Sequence, residues 1–290
     1  MLLMSALLAG GQEPRHGRLS FSDYRPTVTN LTRKPVSVPL EVHPDAKIFL
    51  VRARVGKNLE GRFIVDTGSA ATMVTPAFAQ KIRAEFSAPG AGQGPGAAQA
   101  VRLPLLALGA MQFENLVAGT MSLDHLNKPL KTQLDGILGG DVLFARRLAF
   151  SIASRRLILD APEPAGVKPL IGAGGWLVGV PLTLEGQTKM FLLDSGASRS
   201  VLPEREWQGA VLDGGRVNRG DYAETLVGLK TCTAVIKDLR VGEMPLPWLK
   251  LTLTETNQRL LGADFISRFL LTIDAEYGKV WLQPPSPYVQ

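Results

Sequence analysis

Two aspartates in this chain stand in the same local setting. Phe63-Ile-Val-Asp66-Thr67-Gly68-Ser69 and Phe191-Leu-Leu-Asp194-Ser195-Gly196-Ala197 each run a short apolar segment into a carboxylate, a hydroxyl residue and a glycine. An Asp where a buried strand breaks into a turn is costly to desolvate unless hydrogen bonds or a functional partner compensate. Two such carboxylates, one from each half of the chain, suggest a facing pair that shares a proton. The ionised member of such a pair can take a proton from a water. The protonated member can hydrogen-bond a carbonyl under attack and later protonate the leaving amine.

A single Asp-Thr/Ser-Gly arises by chance in roughly one chain of this size in ten, and alone it reads as a turn. The surroundings, however, recur as well. Ile137-Leu138-Gly139-Gly140-Asp141-Val142-Leu143 is answered by Leu260-Leu261-Gly262-Ala263-Asp264-Phe265-Ile266, and Leu106-Ala-Leu-Gly109-Ala-Met111 by Leu239-Arg-Val-Gly242-Glu-Met244. Phe150-Ser-Ile152 before Arg156-Leu-Ile-Leu159 parallels Leu271-Thr-Ile273 before Lys279-Val-Trp-Leu282. The order is kept and only loop lengths drift, so the chain is a duplicated domain rather than a short-period repeat.

On these motifs each half resembles a retropepsin-like aspartyl protease unit of the bacterial kind, and the whole resembles a pepsin-type aspartic peptidase. The resemblance covers about residues 40–160 and 176–284. It implies a mainly β, bilobal acid-protease fold: two homologous β-barrel lobes with short helices and an active-site cleft between them. It also implies catalysis by Asp66 and Asp194, on a peptide or protein substrate, with no cofactor. Both loops lie on one chain, so a monomer is expected to hold a complete site. In the resemblance the Thr67 and Ser195 hydroxyls cross-link the loops beneath the carboxylates, and Ser69 donates to Asp66 from outside. Ala197 has no hydroxyl to do the same for Asp194, so the two aspartates should differ in basicity. Gly68 and Gly196, lacking Cβ, let the backbone turn tightly.

Composition fits and excludes. Hydrophobic residues make up 45% and charged residues 20%, with 30 Gly and 20 Pro, the mixture of a globular protein with many short strands and turns. Cys232 is the single cysteine, which excludes a disulfide framework and a cysteine-based metal site. His16, His43 and His125 are scattered in polar contexts, so neither a metal site nor a histidine triad is expected. The net charge of +6 is spread as pairs such as Arg146-Arg147 and Arg155-Arg156. That pattern reads as a solvated surface rather than a nucleic-acid site, with attraction to anionic envelope surfaces as a lesser reading.

Four regions are expected: a signal-like segment and polar arm over 1–35, a first lobe over 36–161, a Pro/Gly linker over 162–175 and a second lobe over 176–285. Residues 36–42, 48–55 and 61–65 read as strands of the first lobe, the last delivering Asp66, and 75–83 as a helix with Pro at its first position. Residues 176–184 and 188–193 repeat the plan ahead of Asp194. About 25 residues past each aspartate comes a candidate substrate-covering flap, with Gly92, Gln93 and Gly94 in the first lobe and Gly215 and Tyr222 in the second. Asp141 and Asp264, each between a Leu-Gly pair and apolar residues, read as helix N-caps rather than catalysts. Thr72 and Ser200, each six residues past an aspartate, are possible braces of the loops.

The apolar run Met1-Leu-Leu-Met-Ser-Ala-Leu-Leu-Ala9 is too short to span a bilayer. It resembles the core of a secretory signal without a basic flank. A periplasmic or secreted protein is the expectation, with a cytoplasmic one as the alternative. Three functional classes stand: an active endopeptidase, a catalytically inactive peptide-binding module, and an envelope-assembly protein that keeps the fold.

Overall fold

The computed structural model describes residues 25–57, 59–82, 85–86, 100–103, 105–184, 186–207, 223–224 and 230–284. The candidate flap residues Gly92, Gln93, Gly94, Gly215 and Tyr222 lie outside these, as does the N-terminal apolar run.

The protein is a mainly β, bilobal structure built twice on one plan. In the first lobe, strand Phe49–Val55 alternates Val51, Ala53 and Val55 inward with Arg52 and Arg54 outward, the period of a half-buried strand. It pairs antiparallel with Leu59–Val65, the strand that delivers Asp66. On its other side Leu59–Val65 runs parallel to Gly136–Leu138, which pairs antiparallel with Met73–Val74. Met73–Val74 in turn runs parallel to Leu116–Thr120.

The second lobe repeats each relation. Gly179–Leu184 pairs antiparallel with Gln187–Leu193, and that strand runs parallel to Leu260–Leu261. Leu260–Leu261 pairs antiparallel with Val201–Pro203, which runs parallel to Met244–Thr254. A short helix follows in each lobe, Pro76–Lys81 or Glu204–Trp207. The first is capped by the Thr75 hydroxyl, which accepts from the Phe78 N–H at 3.2 Å, with a proline in the first turn.

The lobes are joined by a shared six-stranded sheet. Leu148–Ser151 and Arg156–Leu159 come from the first lobe, Leu270–Asp274 and Lys279–Gln283 from the second, and the central contact is Leu148–Ser151 against Leu270–Asp274. The duplicated hairpins therefore pair with each other across the lobes. Arg147 reinforces the joint, its Nε and Nη2 donating to Asp274 Oδ2 at 3.1 and 2.8 Å while its guanidinium lies 5.8 Å from the Trp281 ring centroid.

Several sequence expectations need correction. Thr27–Asn30, assigned to the polar arm, is a strand paired with Met111–Glu114, and Leu170–Ile171, assigned to the linker, pairs with the strand Lys279–Gln283. Both satisfy backbone groups at a sheet edge, which a side-chain pattern does not advertise. His43, which lies in a polar stretch of sequence, is buried. Its Nε2–H donates to the Leu130 carbonyl at 2.9 Å, and its Nδ1 accepts from the Asp45 and Ala46 N–H groups. The unanticipated helix Asp124–Leu130 provides that carbonyl, and its Leu126 and Leu130 close a small core with Ile48, Ile64 and Ile137.

Candidate active site

Asp66 and Asp194 leave their strands in the same way. The Asp66 N–H donates to the Leu138 carbonyl at 3.0 Å, and the Asp194 N–H to the Leu261 carbonyl at 2.9 Å. Each carboxylate is thus pinned where its strand ends beside a parallel neighbour. The two loops meet at the lobe junction, with Gly68 packed against the Asp194 carboxyl and Gly196 against that of Asp66, so the two carboxyls face each other and each influences the other's proton affinity. Both are nearly sealed from solvent, at 3% and 6% exposure.

Four hydrogen bonds cross between the loops. The Thr67 hydroxyl donates to the Leu193 carbonyl at 2.7 Å and accepts from the Ser195 N–H at 3.0 Å. The Ser195 hydroxyl donates to the Val65 carbonyl at 2.7 Å and accepts from the Thr67 N–H at 3.0 Å. All four groups are buried, so each bond saves a desolvation penalty of about 1–3 kcal/mol that an orphaned group would carry. The lattice fixes one loop against the other.

Gly68 and Gly196 are required by the closeness of the approach. A Cβ added at Gly68 would stand 2.5 Å from the Asp194 carboxyl carbon, and one at Gly196 would crowd that of Asp66 closer still. Each glycine N–H instead serves its own loop's carboxylate, Gly68 N to Asp66 Oδ1 at 2.9 Å and Gly196 N to Asp194 Oδ1 at 3.0 Å. Asp194 gains another donor from the Ala197 N–H at 3.0 Å. Ser69 departs from expectation. Its hydroxyl donates to the Ala71 carbonyl at 2.9 Å, so it ties down the turn, and only its backbone N–H acts on Asp66.

Burial is the largest influence on both carboxyls and raises both pKa values. Asp66 is held well above the ordinary range, by burial first and then by the charge of Asp194, its Gly68 N–H bond pulling the other way. Asp194 is raised by burial, but the Ala197 N–H, the hydrogen bond from Asp66 and the Gly196 N–H each stabilise its ionised form. The two carboxyls, both raised by burial, therefore titrate as one coupled pair rather than as two independent groups.

Asp141 and Asp264 are not the N-caps expected of them. The cap positions belong to Gly139 and Gly262, and the two aspartates sit inside the helices Gly140–Leu143 and Ala263–Ile266. Asp141 Oδ1 accepts from the Thr72 hydroxyl at 2.6 Å and from the Val142 N–H at 2.9 Å, and its Oδ2 accepts from the Thr72 N–H at 2.9 Å. Asp264 Oδ1 accepts from the Ser200 hydroxyl at 2.7 Å, the Ser200 N–H at 2.9 Å and the Phe265 N–H at 2.9 Å. The Thr72 and Ser200 hydroxyls then accept from the Gly139 and Gly262 N–H groups at 3.2 and 3.0 Å. Each of these aspartates serves one N–H of its own helix, but its main partner is the far end of the Asp-x-Gly loop in its own lobe. Burial pushes Asp141 up to about 6 and raises Asp264 as well.

Two buried carboxyls facing each other, with strands, loops and clamps repeated around them, form the constellation the duplicated motifs describe. A family model described as aspartyl protease matches residues 51–142 and 180–265, more than half of the chain. The chain belongs to the aspartyl protease family. Each matched segment holds one Asp-x-Gly loop and runs through the clamping aspartate of the same lobe. Membership supports aspartic protease function in general. A search among curated proteins found no match. Among the described residues no cluster of His, Cys, Asp or Glu is arranged to hold a metal ion, and no helix is long and apolar enough to cross a membrane.

Proposed function

We propose that this aspartyl protease family member is an active endopeptidase that hydrolyses peptide bonds with a water activated between Asp66 and Asp194. The observation that carries the reading is the close, buried approach of two carboxyls contributed by different lobes. Like charges this close do not both ionise, so one proton serves the pair over a wide pH range. Aspartic proteases are the standard example of that coupling. The ionised member of the pair is the general base on the water. The protonated member hydrogen-bonds the scissile carbonyl and protonates the departing amine. No covalent intermediate is needed. Ser195 and Thr67 are spent on crossing bonds between the loops and take no part as nucleophiles.

A single chain supplies both aspartates, so the functional unit is proposed to be the monomer. The test is cleavage of an unbiased peptide library by the purified chain from acidic to neutral pH, repeated on dilution from micromolar to nanomolar enzyme. Cleavage with constant specific activity is expected. Binding of peptides without cleavage at any pH would favour the peptide-binding alternative, and a steep fall in specific activity on dilution would mean that each lobe pairs with another chain.

A further inference from the structure

We propose that the outward face of the long hairpin in the second lobe is a docking surface for an anionic phospholipid bilayer. Strands Lys230–Val241 and Met244–Thr254 pair with Val235 opposite Lys250 and Lys237 opposite Trp248. Ala234, Ile236, Leu249 and Leu251 are buried in the lobe core, so the residues between them face outward. On that face Val235 and Trp248 occupy one diagonal, and Lys237 and Lys250 the other. Val235 is 37% and Trp248 50% exposed, and both lysines are exposed.

Arg268, just past the helix Ala263–Ile266, completes the arrangement. Its guanidinium lies 4.2 Å from the Trp248 ring centroid, and its Nη1 donates to the Trp248 carbonyl at 2.7 Å. The stack fixes the indole while adding a third cation beside it. Farther along, exposed Arg240 extends the positive face beyond a kink at Asp238, whose φ is 56°. Of the nearby acids among the described residues, Glu243 is paired with Lys168 at 3.1 Å and the partly buried Asp264 acts on Arg268, which leaves Asp238 beside Lys237, Lys250 and Arg240.

The chemistry of this surface suits a lipid headgroup layer. A half-exposed indole, apolar in body and polar at one edge, belongs at headgroup depth, and Val235 adds apolar area beside it. Lysines around such an anchor reach the lipid phosphates, and their pull on an anionic leaflet adds up charge by charge. The net charge of +6 favours encounter with the same surface. Single-stranded nucleic acid is the poorer fit, because it needs aromatics in series along a groove and this ladder offers one ring. None of these residues belongs to the Asp-x-Gly loops, so binding and proteolysis are separable.

The test is co-sedimentation of the full chain with phosphatidylcholine vesicles and with vesicles that also contain phosphatidylglycerol, at low and high salt. Binding is expected only to the anionic vesicles and should weaken as salt rises. Lys237→Glu/Lys250→Glu should reduce binding roughly tenfold or more. Trp248→Ala should weaken it several-fold, and the milder Lys237→Gln/Lys250→Gln should fall between the wild type and the Glu pair. Melting curves for each variant check that the lobe still folds. Lys34→Glu/Lys57→Glu, the same change in charge on the first lobe, should keep most of the binding. Three outcomes would overturn the proposal: no binding to anionic vesicles, equal loss in the first-lobe control, or tighter binding to a single-stranded oligonucleotide that the Lys237/Lys250 variants abolish.

Discussion

Four aspartates of this chain, Asp264 half-buried and the other three buried, form two repeated pairs, and the pairs differ in where their partners lie. Asp66 and Asp194 reach across the lobe junction and meet each other. Asp141 and Asp264 each stay within a lobe and hold a hydroxyl residue six places past the first pair. All four carboxyls are raised by burial, so depth alone does not separate catalyst from scaffold. The nature of the partner does. A carboxyl facing another carboxyl holds a proton that can be exchanged with substrate. A carboxyl facing N–H and O–H donors has its lone pairs committed and holds a loop in place.

The largest effect should follow from breaking the first pair. Asp66→Asn and Asp194→Asn are each expected to lower turnover by roughly 100- to 10,000-fold, because Asn keeps size and hydrogen bonding but cannot exchange the proton. Folding should be retained or improved, since one of two mutually repelling buried carboxylates is removed. Initial rates beside thermal melts check both; full activity in either variant would end the shared-proton mechanism. The second pair should behave in the reverse manner. Asp141→Ala is expected to cost about 2–4 kcal/mol by orphaning the Thr72 hydroxyl and N–H together with the Val142 N–H. Asp264→Ala should cost less, because that side chain is only half-buried. Activity per folded molecule should largely persist in both.

A pH series sharpens the contrast within the second pair. Asp141 sits at about 6 in the folded protein, above the ordinary 3.8, so the folded state binds its proton more tightly than the unfolded chain does. The stability it contributes is complete below about pH 4 and is lost as pH rises through 6, a change of about 3 kcal/mol. Denaturant melts of wild type and Asp141→Asn at pH 4 and pH 7 should therefore move by that amount in favour of Asn. An unchanged difference would show that folding does not raise the proton affinity of Asp141.

These pairs also mark what was legible in the sequence. The repeat placed Asp66 and Asp194 in matching settings because duplication preserves local order, and the structure brings those two loops together. The clamp role of Asp141 was not legible. A sequence offers only near neighbours as partners, so Asp141 looked like a cap for its own helix, whereas its main partner Thr72 lies 69 residues earlier in the chain. Thr72 and Ser200 were visible as repeated hydroxyls without a purpose, which only the fold supplies. Strands Thr27–Asn30 and Leu170–Ile171 escaped for a different reason: they are held at sheet edges by backbone groups, which every sequence has. His43 looked polar because the helix that buries it, Asp124–Leu130, carries Pro129 and did not read as a helix.

The smallest expected effect concerns the asymmetry between the two Asp-x-Gly loops. Ser69→Ala should cost about 0.5–1.5 kcal/mol for the lost bond to the Ala71 carbonyl and leave the pH dependence of turnover where it was. A displaced pH limb would mean that the hydroxyl acts on Asp66 after all.

The most direct measurement of the shared proton is kcat/KM against pH for the wild-type chain. A bell is expected. Its acid limb marks the pair gaining a second proton and its alkaline limb the pair losing the one it shares, and because burial raises both groups the active window should run from mildly acidic to near neutral pH. A rate that climbs steadily through alkaline pH, or that shows a single limb at the ordinary carboxylate value, would contradict a proton shared between Asp66 and Asp194.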